Sequence, residues 1–538
     1  MRKRQIAALV LALLFMLGLL AEAADAAAPA EANFPPRDSR YHNYPEMVAE
    51  IMAAQAAYPD LVSVFSIGKS YQGRDIWVAK VSDHVATDEA EPEVLIDALH
   101  HAREHLTTEQ ALYLLKVLTT GYATDSLVKR LVDSREIFIV FALNPDGMQY
   151  DLTGSPYRAW RKNRQPNVGT GTVGTDLNRN YAYDWGCCRG SSGSPGALTY
   201  RGKKAFSAPE TQAMRDFVQS RVIDGRQQIV MHITLHTNGE LVLWPYGHTR
   251  TDIPADMTRT DHAAFVALGK RMAQRNGYKP EQSSDLYITD GDQIDWMYGR
   301  YRIFSFTWEL YPTEHHRTSD FYPPDERIAA AVANNRSALL YAIDKADCPY
   351  SPIYQAKADC GPLYDDFEIN RGWTRDPDGT DTATDGLWQI GDPTATSILG
   401  PKQLGTTTSG RAALVTGLAG VKGTDANDVD GGTTTIRSAP VALPDPVGNL
   451  TFSYYFSHRS NATSADWFRV WVEAEDGTRT LVREELGKAT DDDARWIPVR
   501  VSMTPWAGQT VRIVIGAADG AGDSRIEAAV DDLRIERP

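Results

Sequence analysis

The chain has 538 residues, a hydrophobic content of 42%, a charged content of 23% and a net charge of −15. This length exceeds one ordinary hydrophobic core and the composition is that of a globular protein, so we expect two folded domains. The acidic balance, with carboxylates scattered rather than grouped, argues against a nucleic-acid partner.

Residues 1–23 have the pattern of a secretory signal peptide. Arg2-Lys3-Arg4 precedes an apolar run from Ile6 to Leu20, and Ala21-Glu22-Ala23 is a cleavage site, with Ala24-Asp25-Ala26 as a second candidate. This apolar run is short for a bilayer core, which disfavours a transmembrane anchor. We therefore expect a secreted or periplasmic protein with no membrane partner after cleavage. Loss of three basic groups and one acid leaves the mature chain near −17.

Hydrophobic periodicity predicts alternating helices and strands over residues 24–346. Helical spacing runs from Tyr44 to Ala57, and capping-box spacing predicts that a second helix begins at Thr107, with Gln110 as its partner. Strands are predicted at 61–67, 75–81, 94–99, 137–143, 229–235, 241–244 and 303–310, with a turn at 144–147 and helical spacing at 327–343. This order indicates an α/β domain with a mixed, mostly parallel sheet flanked by helices.

The pattern changes after Ala346. Residues 347–362 contain two cysteines and three prolines and are predicted to be a linker. Residues 363–538 lose the helical period and have short alternating runs, which predict an all-β sandwich of the jelly-roll type. The strands are predicted at 450–456, 467–472, 496–501 and 511–515.

The four cysteines are Cys187, Cys188, Cys348 and Cys360. In an oxidising compartment they are expected to pair, and four cysteines allow three connectivities. We favour Cys348–Cys360, which closes a short loop. Cys187 and Cys188 then form an adjacent pair or stay as free thiols.

The turn after the predicted strand at 94–99 holds several residues that could bind a metal: His100, His101, Glu104 and His105. It lies between a strand end and a helix start, where α/β folds build sites, and imidazole with carboxylate suits Zn²⁺. His236 lies at the end of another predicted strand, 132 residues after Glu104. Two other interpretations stay open here. The segment could be an incidental polar turn, or His101 and His105 could bind the metal with Glu104 as the base. That second pattern needs one continuous helix, whereas the helix signals begin at Thr107.

Four further motifs accompany these residues in a fixed order. They are Arg158-Ala159-Trp160-Arg161-Lys162-Asn163-Arg164, Asp176-Leu177-Asn178-Arg179-Asn180, Leu286-Tyr287-Ile288 and Phe306-Thr307-Trp308-Glu309-Leu310. The whole set resembles the zinc carboxypeptidases of the carboxypeptidase A, B and T family over residues 34–345. The bacterial carboxypeptidase T branch is the most similar, through the stretches 284–292 and 295–299.

The resemblance implies a catalytic role for five residues. His101, Glu104 and His236 would bind one catalytic Zn²⁺. Glu309 would be the general base, and Arg161 would stabilise the oxyanion that forms during peptide hydrolysis. The intact set predicts an active peptide hydrolase.

The resemblance also implies a binding site for peptides and proteins with a free C-terminus. Asn178 and Arg179 would bind the terminal carboxylate, Tyr287 would close over the last residue, and Arg103 would line a subsite. Ile294 and Asp292 fall in the pocket for the terminal side chain. The expected specificity is broad, for apolar and basic residues, unless Asp292 only caps a turn.

The sequence therefore predicts a secreted, monomeric zinc carboxypeptidase. A metallopeptidase directed at cell-wall peptides and an inactive peptidase-like protein that binds a surface are the alternatives. The C-terminal stretches 364–368, 388–392 and 530–533 resemble jelly-roll modules of secreted bacterial hydrolases. Their carboxylates, interpreted as loop residues, suit Ca²⁺, and ordinary polar turns are the other interpretation.

Overall fold

A computed structural model of the chain describes residues 31–313, 317–418, 428–520 and 522–538. The predicted signal peptide, residues 1–23, lies outside the described residues. Within them, the N-terminal part builds one eight-stranded sheet. Its strands are β1 Val62–Lys69, β2 Asp75–Val81, β3 Glu93–Ala98, β4 Glu136–Val140, β5 Ile229–Thr237, β6 Leu241–Trp244, β7 Lys279–Gln282 and β8 Phe304–Leu310.

The sheet is mixed, with parallel ladders at its centre. The strand order is β1-β2-β4-β3-β5-β8-β6-β7. Strands β4, β3, β5 and β8 pair in parallel, as do β6 and β7. The pairs β1–β2, β2–β4 and β6–β8 are antiparallel. The four central strands therefore end at one edge of the sheet, which confirms the predicted fold class.

Helices cover both faces of this sheet. Alternate residues of β3 accordingly pack in two separate cores, one on each face. Val94 and Ile96 pack in one core, and Leu95 packs in the other. The helices are α1 Tyr44–Ala57, α2 Leu106–Gly121, α3 Ser126–Val132, α4 Pro145–Asp151, α5 Pro209–Ser220, α6 Arg259–Asn276, α7 Ser283–Leu286, α8 Gln293–Tyr301, α9 Ile328–Asn334, α10 Arg336–Lys345 and α11 Ala356–Asp359.

Short elements lie between the longer helices and strands of both parts of the chain. Turns of 3₁₀ helix lie at Pro36–Asp38, Leu177–Arg179, Thr318–Phe321, Asp325–Arg327, Ser351–Ile353 and Thr504–Trp506. Two-stranded ladders join Pro166–Asn167 to Thr172–Val173, Val222–Ile223 to Arg226–Gln227, and Thr396–Ser397 to Pro401–Gln403. In the described part of the chain, no helix is both long and apolar enough to cross a membrane.

Helix α1 has the predicted limits, but the predicted capping box at Thr107 is wrong. Helix α2 begins at Leu106. The Thr107 hydroxyl accepts from the backbone N–H of Leu99 at 3.0 Å and donates to the Glu104 carbonyl at 2.7 Å. Thr107 therefore closes the turn that carries the candidate metal ligands instead of capping the helix.

The predicted turn at 144–147 is also wrong, because it is the start of helix α4. Asn144 caps this helix, and its side-chain oxygen accepts from the backbone N–H of Gly147 at 3.0 Å. Pro145 follows at the first helical position, where its missing N–H costs nothing. The preceding strand ends at Val140, three residues before the predicted limit.

The C-terminal part is a sandwich of two six-stranded antiparallel sheets. One sheet has the order β11-β12-β20-β15-β18, with β9 paired to β20; the other has the order β10-β13-β19-β16-β17, with β14 paired to β19. The strands are β9 Leu363–Asp365, β10 Thr374–Arg375, β11 Trp388–Gly391, β12 Ala413–Thr416, β13 Gly432–Arg437, β14 Val441–Ala442, β15 Asn449–His458, β16 Trp467–Ala474, β17 Arg479–Leu486, β18 Ile497–Ser502, β19 Thr510–Asp519 and β20 Ile526–Ile535.

The interpretation of the sandwich carboxylates as loop residues is wrong for Asp365, Asp531 and Asp532, because Asp365 lies in β9 and the other two lie in β20. Asp365 accepts from the Trp373 indole N–H at 2.7 Å, and Asp531 accepts from the backbone N–H and the hydroxyl of Thr408, each at 2.7 Å. Among the described sandwich residues, no three acidic, histidine or cysteine ligand atoms lie within 4.8 Å of one another. Calcium binding stays a prediction.

Residues 347–362 pack against the first domain instead of forming an exposed connection. Cys348 forms a disulfide with Cys360, as predicted, and Cys187 forms a second one with Cys188. Tyr350 is buried, and its hydroxyl donates to Asp261 Oδ1 at 2.7 Å. This segment therefore contributes to the first core, while the domain limits at 346 and 363 remain a prediction.

The packing of this segment predicts how truncation affects stability. A chain that ends at Gly361 keeps the Cys348–Cys360 disulfide and buried Tyr350, whereas a chain that ends at Ala346 loses both. We expect the shorter chain to be less stable by about 3 kcal/mol in denaturant unfolding followed by circular dichroism, because it loses the buried Tyr350 ring and its hydrogen bond to Asp261. Equal stability of the two truncated chains would show that residues 347–361 are only a connection.

Candidate active site

The three predicted metal ligands meet at the carboxyl edge of the central strands. His101 Nδ1 lies 2.8 Å from Glu104 Oε1, and His236 Nδ1 lies 3.0 Å from Glu104 Oε2. The two Nδ1 atoms are 3.1 Å apart, and all three side chains are buried. His101 and Glu104 follow β3, and His236 lies near the end of the adjacent β5. Pairing of these strands joins residues that are 132 positions apart.

The donor chemistry of this cluster suits a divalent metal. His101 Nε2 donates to Asp176 Oδ1 at 3.1 Å, which leaves the Nδ1 lone pair facing Glu104 and His236. Burial lowers the pKa of His236 to about 4 despite the adjacent Glu104, so this imidazole is neutral at pH 7. Burial favours the neutral form of Glu104, but His101 and His236 hold the pKa of its carboxyl below the ordinary value. Two imidazoles and one carboxylate are a donor set for zinc.

Asp176 connects this cluster to Arg161. One oxygen accepts from His101, and the other accepts from Arg161 Nε at 3.0 Å. Burial opposes ionisation, yet Arg161 and His101 hold the pKa of the Asp176 carboxyl well below its usual range. Asp176 belongs to the motif 176–180, but the sequence predicted no role for it. Its position two residues before Asn178, in the same motif, was the sequence signal that could have identified it as a site residue.

Three histidines near the cluster are not part of it. His105 Nε2 donates to Asp151 Oδ2 at 3.0 Å, and His232 Nε2 donates to Asp97 Oδ2 at 2.6 Å. His100 is fully buried, with Nε2 at 2.9 Å from the Tyr181 hydroxyl. His105 precedes the first residue of α2, and its ring lies beside Phe34 and Tyr157, with centroid distances of 4.9 and 6.2 Å. The geometry therefore argues against the interpretation in which His105 is a metal ligand.

A cavity of about 360 Å³ opens over the cluster. Ten of the eleven predicted site residues line it: His101, Arg103, Glu104, Arg161, Asn178, Arg179, Tyr287, Asp292, Ile294 and Glu309. The eleventh, His236, lies beneath the others and is almost completely buried. Glu309 on β8 is the register partner of His236 on β5. A half-buried carboxylate therefore lines the cavity beside the candidate metal ligands.

Arg179 lies farther along the cavity, in the 3₁₀ turn Leu177–Arg179. Its Nε donates to the Gly190 carbonyl at 3.1 Å, and its Nη1 donates to the Asn178 carbonyl at 2.5 Å. Tyr287 is 48% exposed, and its ring centre lies 6.0 Å from Arg179 Cζ. The Asn178 side-chain oxygen accepts from the backbone N–H of Gln293 at 2.9 Å. These contacts fix the arginine and leave the tyrosine ring largely open to solvent.

Asp292 both caps helix α8 and lines the cavity, so the two interpretations of this residue are compatible. Its Oδ1 accepts from the backbone N–H of Asp295 at 2.9 Å, and Oδ2 accepts from the Thr289 hydroxyl. Burial, together with the charge of Asp295, raises the pKa of Asp292 to about 7. Ile294 is almost fully buried beside it and supplies an apolar wall.

Arg103 has an aromatic partner that the sequence analysis did not identify. Its guanidinium carbon lies 3.9 Å from the ring centre of Phe321, and both residues line the cavity. Phe321 belongs to the 3₁₀ turn Thr318–Phe321, more than two hundred residues later in the chain. No periodic pattern marks such a contact between two loops, so only the folded arrangement shows it.

Comparisons with known proteins agree with this geometry. Residues 47–338 match the family model described as zinc carboxypeptidase. A zinc carboxypeptidase from Saccharothrix mutabilis subsp. capreolus is 48% identical over 316 residues, which cover 59% of this chain and 72% of that protein. Carboxypeptidase A1 from Rattus norvegicus is 32% identical over 307 residues, which cover 56% of this chain and 70% of that protein. The crystal structure of a carboxypeptidase A from Helicoverpa armigera has a TM-score of 0.50 at 27% identity, covering 60% of this chain and 78% of that one.

The cluster predicts that metal content depends on His236 and not on His105. His236→Ala removes one of three buried donors, so the purified variant should lose most of its zinc in elemental analysis. His105→Ala is the matched control and should keep zinc at the wild-type level, because its ring donates to Asp151. Stoichiometric zinc in His236→Ala, or zinc loss in His105→Ala, would refute this ligand set.

Proposed function

Because this chain belongs to the zinc carboxypeptidase family and is a metal-dependent carboxypeptidase, we propose that it releases C-terminal residues by attack of water on the last peptide bond. The observation that carries the proposal is the shared cavity, which is lined by two residues of the metal cluster, His101 and Glu104, and by Glu309, Arg161 and Arg179. Hydrolysis of the last bond needs a hydrolytic centre and a carboxylate receptor that are held a fixed distance apart.

His101, Glu104 and His236 would hold the zinc ion in this mechanism. When bound there, zinc supplies Lewis acidity to water and to the peptide carbonyl. The contribution of the protein is to present the donors in the required protonation state. Burial keeps His236 neutral, and Asp176 keeps the His101 proton on Nε2.

Glu309 is proposed as the general base. Its carboxylate accepts a proton from water as the water oxygen attacks the carbonyl carbon of the substrate. The same proton then passes to the leaving nitrogen as the C–N bond breaks, which yields a new carboxyl group and a free amino acid. The half-buried position of Glu309 beside His236 supports this role.

Arg161 is proposed to stabilise the oxyanion of the tetrahedral intermediate. Its Nε is engaged by Asp176, which orients the guanidinium toward the cavity that Arg161 lines. A donor that is fixed before the reaction costs no reorganisation as charge develops on the substrate oxygen. Asp176 therefore serves both the metal ligand and the oxyanion donor.

Arg179, with Asn178, is proposed to bind the terminal carboxylate. Backbone carbonyls occupy one N–H on Nε and one on Nη1, so the remaining N–H groups on Nη1 and Nη2 are available for a bidentate contact. An internal peptide bond brings no carboxylate to this position. A buried arginine without an anion then costs about 3–5 kcal/mol, which restricts cleavage to chain ends.

Secretion is part of the proposal. The basic and apolar pattern of residues 1–23 and the two disulfides support it, since disulfides persist in oxidising compartments. The presence of His101, Glu104, Glu309 and both arginines in one cavity, with His236 directly beneath it, disfavours an inactive surface-binding protein. The cavity offers no specific observation in favour of cell-wall peptides over ordinary peptides.

Glu309→Gln should fold and keep its zinc but lose turnover. An amide of the same shape cannot accept the proton of water, so we expect kcat to fall about a hundredfold or more while KM changes little. Steady-state kinetics and elemental analysis of one preparation provide the test. A kcat near the wild-type value, with zinc intact, would remove Glu309 from the mechanism.

The pKa of Asp292 predicts a pH-dependent choice of substrate. Its carboxyl is mostly neutral below pH 7 and mostly anionic above it, whereas a lysine side chain stays cationic in both ranges. The ratio of kcat/KM for C-terminal lysine to that for C-terminal leucine should therefore rise about tenfold between pH 5.5 and 8.5. The ratio cancels ionisations that affect both substrates equally.

Asp292→Asn is the matched variant for this test, because asparagine also caps helices but carries no charge. It should give a lysine-to-leucine ratio that is low and independent of pH. A ratio that rises equally in the wild type and in Asp292→Asn would mean that another group selects basic side chains.

A further inference from the structure

The guanidinium of Arg179 rests on a loop, residues 184–191, that takes no part in the proposed reaction. This loop contains the Cys187–Cys188 disulfide, and the carbonyl of its residue Gly190 accepts from Arg179 Nε at 3.1 Å. Arg179 is only 2% exposed. The position of this carbonyl therefore determines how the guanidinium is oriented before a substrate binds.

The loop is held in turn by one buried carboxylate, that of Asp290. Its Oδ2 accepts from the backbone N–H of Gly190 at 2.8 Å and from that of Cys188 at 3.3 Å. Its Oδ1 accepts from the backbone N–H of Gly186 at 3.2 Å and from the Ser191 hydroxyl. Asp290 is fully buried, so four donors from six consecutive residues converge on a carboxylate without solvent access.

Close backbone packing makes this arrangement stiff. A Cβ atom on Gly190 would overlap the backbone of Thr289, and a Cβ atom on Gly291 would lie 2.8 Å from the Arg179 carbonyl oxygen. Gly291 has a φ of +64°, and its carbonyl accepts from the backbone N–H of Tyr181 at 2.9 Å. The turn that carries Asp290 is thus packed between the loop and the backbone at Arg179.

We propose that Asp290 is a positioning residue for the carboxylate receptor Arg179. Gly190 transmits the effect, because its N–H donates to Asp290 while its C=O accepts from Arg179. A guanidinium fixed in advance loses less conformational entropy when a carboxylate binds, so Asp290 lowers KM without contacting the substrate. This inference rests on the proposed role of Arg179 in binding the substrate's C-terminus.

The first variant is Asp290→Asn, which keeps the size of the side chain and replaces one acceptor oxygen with an NH₂ group. That group cannot accept from the loop N–H groups, so the Gly190 carbonyl should lose its fixed position. We expect kcat/KM for a peptide with a free C-terminus to fall about tenfold or more, with most of the change in KM. The matched control is Asp285→Asn, an exposed carboxylate on α7, which should leave kcat and KM unchanged.

A double-mutant cycle separates positioning from general loss of structure. In an Arg179→Ala background, Asp290→Asn should change kcat/KM by less than about twofold, because the group it positions is gone. An equal loss in both backgrounds, or no loss in the wild-type background, would overturn the proposal. Undiminished hydrolysis of free acids by Arg179→Ala alone would instead overturn the assignment of the carboxylate receptor.

Ser191→Ala keeps the test decisive if Asp290→Asn does not fold. It removes the side-chain donor to Asp290 but leaves three backbone N–H groups in place. We expect a smaller rise in KM in the same direction, of about threefold, that disappears in the Arg179→Ala background. An unchanged KM in folded Ser191→Ala, together with a misfolded Asp290→Asn, would overturn the positioning role.

Discussion

The double hydrogen bond of Asp176 is the interaction on which the site depends. One buried carboxylate orients the proposed metal ligand His101 through Nε2 and orients Arg161 through Nε. A buried anion is stable only when cations and donors compensate it, and these two residues hold its pKa well below the usual range. The same carboxylate thus couples the geometry of the metal cluster to that of the proposed oxyanion donor.

A second buried carboxylate, that of Asp290, orients the arginine at the end of the cavity where the substrate's C-terminus is proposed to bind. Asp290 acts through the backbone of Gly190, whose N–H and C=O belong to the two adjacent peptide groups, whereas Asp176 contacts its partners directly. Both acids lie in turns outside the strands, and the groups they orient line a cavity whose floor is formed by β5 and β8. The sheet fixes the positions of His236 and Glu309, and the turns fix the orientation of the two arginines.

Much of this arrangement could be predicted from the sequence, because strand ends and metal-ligand spacing are local signals. The ordered motifs that resemble the zinc carboxypeptidases, together with the placement of both histidines at strand ends, predicted that His101 and His236 meet. The capping box at Thr107 failed because tertiary hydrogen bonds to Leu99 and Glu104 took its hydroxyl. The role of Asp290 could not be predicted, because its donors are backbone N–H groups of a distant loop with no side-chain signature.

The central claim is that Arg179 binds a terminal carboxylate one residue away from the hydrolytic centre. The most direct measurement compares kcat/KM of the purified wild-type protein for one peptide as the free acid and as its C-terminal amide. Amidation removes the anion that Arg179 needs but leaves the scissile bond unchanged, so we expect the amide to be cleaved at least about a hundredfold less efficiently. Equal cleavage of the two peptides would contradict the account.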